Sequence, residues 1–186
     1  MACEIDVISI GALSANFFWN ERAAIRPSHA TTTLIRDGEV SILVDPSLPA
    51  EILSQRLHER TGLQFDDIDT VFLTSFRPIH RRSLGAFPRA QWKMAEEELD
   101  AVIQSLDAAL DGLHDPSGVV SNPDELEEEL ALARKIAAAP DKLTENVNLF
   151  PSPGATVGSA ALLVTSLKTW IIAGDAILTR DHFHNG

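Results

Sequence analysis

The residues able to do chemistry gather in two places. The first is the stretch from Arg77 to Arg89, which holds Arg77, His80, Arg81, Arg82 and Arg89 and no acid. It follows directly on Thr70-Val71-Phe72-Leu73-Thr74 and Ser75, a buried strand by its composition. The second is Asp175, which closes the run Ile171-Ile172-Ala173-Gly174. Strand ends of layered α/β architectures are where sites are built. An arginine there offers a permanent cation and a two-pronged donor for carboxylate or phosphate. A histidine can hold a proton or a metal. A carboxylate buried at such an end needs a cation beside it. His182 and His184 follow Asp175, and their alternation would put both on one side of an extended tail. His29, His58 and His114 stand alone, and the single Cys3 can form neither an internal disulfide nor a metal cluster. There is no nucleophile elbow, Gly-rich phosphate loop or Cys-His pair.

The elements that position these residues can be read from patterning. Ile5–Ile10 and 33–45 are strand-like, with Asp37-Gly38 as a hairpin turn and Ile42-Leu43-Val44 as a buried run ending at Asp45-Pro46. A helix is expected over 50–60, with Ile52, Leu53 and Leu57 on one face, and a polar junction over 65–69 leads into the strand before Ser75. Leu99, Val102, Ile103, Leu106, Leu110 and Leu113 fall at helical spacing. After a loop from His114 to Ser121, a second helix opens with Asn122 as N-cap, Pro123 at the first position and Glu125 three residues on. It runs through Leu126, Leu130 and Ala133 and stops before Pro140. The apolar stripes of this helical pair, about 93–139, are contacts with the sheet or with a partner chain. Strands return at 147–150, 160–165 and 169–173, and a helix can start within 178–183.

Composition sets the outer limits. The chain has 186 residues, long enough for one domain with a true core, and 45% hydrophobic residues. Its formal charge is −12, from 15 basic and 27 acidic residues. Phosphate neutralisation needs the opposite balance, so a nucleic-acid binder is not expected. The acidic runs Glu96-Glu97-Glu98 and Glu127-Glu128-Glu129 read as solvated helix faces. No apolar run approaches the roughly 20 residues of a membrane helix, and the N-terminus has no signal-peptide pattern. A cytoplasmic protein is the default expectation.

Four pieces, in order, resemble the metallo-β-lactamase superfamily. Leu43-Val44-Asp45-Pro46 is similar to the strand and turn before its first helix. Thr74-Ser75-Phe76-Arg77-Pro78-Ile79-His80 sits where that family writes T-H-x-H-x-D-H. Pro153-Gly154-Ala155-Thr156-Val157-Gly158-Ser159 sits where it writes P-G-H-T-x-G-S. Ile171-Ile172-Ala173-Gly174-Asp175 is similar to its strand ending in Gly-Asp. The resemblance implies an α+β, four-layer αβ/βα sandwich spanning residues 1–186 as one domain, with an inserted helical pair and a shortened C-terminal edge.

The resemblance also implies that most metal ligands are missing. The three histidines that would hold the first metal, usually zinc, correspond to Ser75, Arg77 and Ala155. Of the second set, Ile79 stands for the aspartate, while His80 and Asp175 remain. An Arg77–Asp175 ion pair is therefore expected in place of the metal, with no cofactor. The old cleft, with Ser75, Arg77, His80, Arg81, Ala155 and Asp175, is expected to bind a small anion or merely to stabilise the fold. Two other readings stay open. One is a hydrolase of an ester, lactone or phosphoester with a reduced zinc site of His80, Asp175, His182 and His184. The other is an interaction module acting through the helical pair, which is also the expected homodimer surface.

Overall fold

The computed structural model describes residues 3–112 and 122–185. Leu113 and the expected loop 114–121 lie outside the described residues. Six strands form the larger sheet in sequence order: β1 (Glu4–Ser9), β2 (Thr32–Asp37), β3 (Val40–Val44), β4 (Thr70–Leu73), β5 (Gln91–Met94) and β6 (Ala137–Ala138). β1, β2 and β3 are antiparallel, and β3 to β6 are parallel. The turn between β2 and β3 uses Gly38 at φ +65°, a left-handed conformation that glycine adopts without steric cost. A second, antiparallel sheet contains β7 (Val147–Pro151), β8 (Ala160–Thr165) and β9 (Thr169–Ile172).

Parallel neighbours need long crossovers, and α1 (Ala50–Thr61) supplies the one from β3 to β4. It ends at Gly62, φ +77°, whose N–H donates to the His58 carbonyl. Leu53 and Leu57 are buried, but Ile52 is half exposed and lies off the core face. α2 (Glu96–Gly112) and α3 (Pro123–Ala133) lie between β5 and β6. The segment 93–139 therefore begins within β5 and ends just past β6, both strands of the main sheet, and its helices carry the chain from one parallel strand to the next. The Asn122 side chain accepts from the Asp124 N–H, with Pro123 opening the helix as expected.

Strands buried on both faces read as continuous apolar runs, and the packing shows why. Leu34, Leu43, Val71, Leu73 and Met94 point to the helices and meet Leu53, Leu57, Leu99, Ala133 and Ile136. Their neighbours Ile35, Ile42, Val44 and Phe72 point the other way, onto Val147, Leu162 and Val164 of the small sheet. Val102, Ile103, Leu106 and Leu132 of the helical pair pack against the chain's own core. Of the two contacts open to those stripes, the contact with the sheet is observed. On the outer face of the small sheet, Phe150 and Ile171 are exposed. Among the described residues, no helix is long and apolar enough to cross a membrane.

Candidate functional site

Three strand ends converge. Asp45 directly follows β3, Thr74 directly follows β4, and Gly174 and Asp175 lie just beyond the end of β9 at Ile172. Asp45 has φ +52°, a conformation that aspartate tolerates better than most residues but that still carries strain. It is held there from four directions. Its N–H donates to the Phe72 carbonyl (3.0 Å), and its own carbonyl accepts from Thr32 Oγ1 (2.6 Å). Its carboxylate accepts from Thr74 N (2.9 Å) and Thr74 Oγ1 (2.7 Å). On the β9 side, Gly174 has φ +55°, and a Cβ there would meet Thr74 Oγ1 at 2.5 Å. Only glycine allows that approach, and it carries Asp175 into the cluster.

His80 lies between the two carboxylates and is fully buried. Nδ1 is 3.0 Å from Asp45 Oδ2 and 3.3 Å from Thr74 Oγ1. Nε2 is 3.0 Å from Asp175 Oδ2, a close ionic contact whose angle falls short of a hydrogen bond. Burial alone would depress the imidazole pKa. The negative charge of Asp45, reinforced by Asp175, overrides it and pushes His80 up to about 10. The ring is therefore an imidazolium at neutral pH. Burial by itself would raise Asp175, but His80 and then Arg77 hold its carboxyl below the usual value.

Arg77 completes the row. Its Nη1 donates to Asp175 Oδ2 at 2.6 Å; the arginine side chain is 50% exposed and the carboxylate 8%. Asp45, His80, Asp175 and Arg77 thus alternate in sign and sum to zero. The expected Arg77–Asp175 contact is present, and His80 backs it from the protein side. Arg77, Asp175, Asp45, Ile79 and Trp170 line a cleft of about 530 Å³.

The other expected site residues go elsewhere. Ser75 is buried, and its Oγ has no hydrogen-bond partner. Ala155 is exposed on its loop. Arg81 turns away from Asp175: Nε donates to the Phe76 carbonyl (2.7 Å), the guanidinium lies 4.1 Å over the Phe76 ring, and Nη2 pairs with Glu129. His182 and His184 are on a short helix, α4 (Arg180–Asn185), so the expected one-sided extended tail is not formed. Two residues apart on a helix, they point in different directions. His182 contacts Thr179 Oγ1 and the Phe18 ring, and His184 contacts Arg180.

Three members of the site were not singled out from sequence as functional residues. Asp45 and Thr74 lay within motifs, but their partnership with His80 is tertiary. Glu98, expected on a solvated helix face, is buried. It accepts from Phe76 N (3.0 Å) and Gly158 N (3.2 Å), tying the loop after β4 to the loop before β8. Val102 and Leu106, four and eight residues later on α2, carried the signal that Glu98 shares the core-facing side.

Neither protein-family models nor curated protein sequences give a match. Solved structures do. A Thermotoga maritima protein described as a metallo-β-lactamase superposes with a TM-score of 0.61 at 16% identity, over 89% of this chain and 74% of its own. AidC, a dizinc quorum-quenching lactonase, gives 0.60 at 18%, over 91% and 67%. The hydrolase AbOPH of the β-lactamase superfamily gives 0.53 at 14%, over 91% and 66%. The fold is that of the metallo-β-lactamases.

Within that fold, the donor set does not suit zinc, which takes three or four N, O or S ligands. Among the described residues, no group of three or more His, Cys, Asp or Glu side chains is placed to hold a metal ion. Both His80 nitrogens face carboxylates while protonated, and the Arg77 cation lies on Asp175.

Proposed function

We propose that this metallo-β-lactamase-fold protein binds a small anion in its cleft and does not activate water on a metal. One observation carries the reading: the half-exposed guanidinium of Arg77 is anchored on Asp175, which is held in turn by buried, protonated His80. A fixed cation at the edge of a cleft is a preorganised site for a carboxylate or phosphate, because little side-chain entropy remains to be lost on binding. Asp175 neutralises part of the charge, so an anion has to compete or share, and modest affinity is expected.

The test has two arms. Protein purified without chelator is assayed for zinc, manganese and iron, and less than one ion per chain is expected. Acetate and inorganic phosphate are then titrated calorimetrically into the parent and into Arg77→Ala, where binding should be lost. One or two tightly held metal ions per chain, or anion binding unchanged in Arg77→Ala, would overturn the reading.

A further inference from the structure

Arg77 lines a second cavity as well as the cleft. On its other side lies a hollow of about 500 Å³ between α2 and the two motif loops. Its walls are mainly apolar, built from Phe76, Pro78, Ala101, Val102, Leu106 and Val157. The charged groups around it are largely occupied: Arg81 with Glu129 and the Phe76 ring, and Glu98 with two backbone N–H groups. Ser105 and Thr156 are the uncharged polar residues of the lining, and Thr156 Oγ1 is itself buried without a hydrogen-bond partner.

We infer that the ligand of this site is an amphipathic acid, with its carboxylate on Arg77 and its apolar body in the hollow beside α2. The inference rests on the anion-binding reading of Arg77 and adds the class of molecule. Two features require such a ligand together. The cation sits at the boundary of the two cavities, so one molecule can reach the guanidinium and the apolar wall at once. The volume is that of an ordinary small-molecule pocket, in which apolar walls supply affinity and a few polar groups fix orientation. A small inorganic anion would leave the hollow unused, and an uncharged hydrocarbon would leave Arg77 unused.

Calorimetry on the full chain with acetate, butanoate, hexanoate and octanoate tests this. Affinity should rise about threefold to fourfold for each methylene that reaches the apolar wall. Ser105→Phe, at the exposed rim of the hollow, and Ala101→Phe, deeper in it, should remove the dependence on chain length while leaving acetate binding intact. NMR contacts from octanoate methylenes to the Val102 and Val157 methyls give a readout that needs no variant. Equal affinity for acetate and octanoate would overturn the amphipathic ligand and leave the anion site standing. No binding of any of these acids, nor of phosphate, would overturn both. Chain-length dependence that persists in both phenylalanine variants, without contacts to Val102 or Val157, would place the ligand elsewhere and overturn the inference.

Discussion

Arg77 covers Asp175 from the solvent side while His80 holds the same carboxylate oxygen from the buried side. The two cations are not equivalent. Water screens the half-exposed guanidinium, whereas the imidazolium has no contact with solvent. Arg77→Ala should therefore cost only about 1 kcal/mol of stability in chemical denaturation. Asp175→Asn should cost more, because it strips one partner from a buried cation. The double variant should lose less than the sum of the two, since Arg77 has nothing to hold once the carboxylate is gone. Simple additivity would mean that the pair observed in the structure contributes nothing to the folded state in solution.

The pH dependence follows from the directions of the two shifts. His80 is raised from 6.5 to about 10, so its stabilisation is full below 6.5 and declines progressively until the folded group deprotonates near 10. Asp175 is lowered from 3.8, so its contribution is present above that value and lost as pH falls through the folded pKa. Stability from this cluster should peak between about 4 and 6.5. Urea midpoints across pH 5 to 10 should fall on the alkaline side, and His80→Asn should flatten that limb. A neutral imidazole at pH 8 in nitrogen-detected NMR would contradict the ion-pair row.

The sandwich was legible because β3 and β4 are buried on both faces, which requires unbroken apolar runs such as Val71-Phe72-Leu73. β5 and β6 were not. Gln91-Trp92-Lys93-Met94 alternates over only four residues, and Ala137-Ala138 is two alanines that the neighbouring strand recruits. The Arg77–Asp175 contact could be anticipated because a buried carboxylate at that strand end needs a cation. The second carboxylate on His80 could not. Asp45 reaches it through a left-handed turn and the Thr74 hydroxyl, neither of which leaves a periodic trace.

Glu98 and Gly158 make a separate prediction about the loops. A Cβ at 158 would fall 2.1 Å from Glu98 N, so glycine is what lets the loop before β8 lie on the start of α2. Glu98→Ala would leave the Phe76 and Gly158 N–H groups without their acceptor and should cost about 2 kcal/mol. Gly158→Ala should displace the loop, so amide exchange at Phe76 and Gly158 or its replacement should accelerate in both variants. Exchange unchanged from the parent would show that Glu98 does not tie the loops together.

Gly174→Ala tests the geometry that assembles the ion-pair row. Thr74 cannot retreat from an added methyl, because its hydroxyl and N–H are both committed to the Asp45 carboxylate. The clash at 2.5 Å, together with the left-handed φ, must instead push residue 174 and the following Asp175 away from His80. His80 would keep Asp45 as its counter-ion but lose the charge of Asp175, so its pKa should fall from about 10 toward its ordinary value while remaining raised. Arg77, no longer anchored, should become more mobile, although its own charge is untouched. The variant therefore separates position from charge. A lower His80 pKa, with greater Arg77 side-chain mobility in NMR relaxation, is the expected pair of results. An unchanged His80 titration would mean that the close approach of Gly174 to Thr74 is not what brings Asp175 to the histidine.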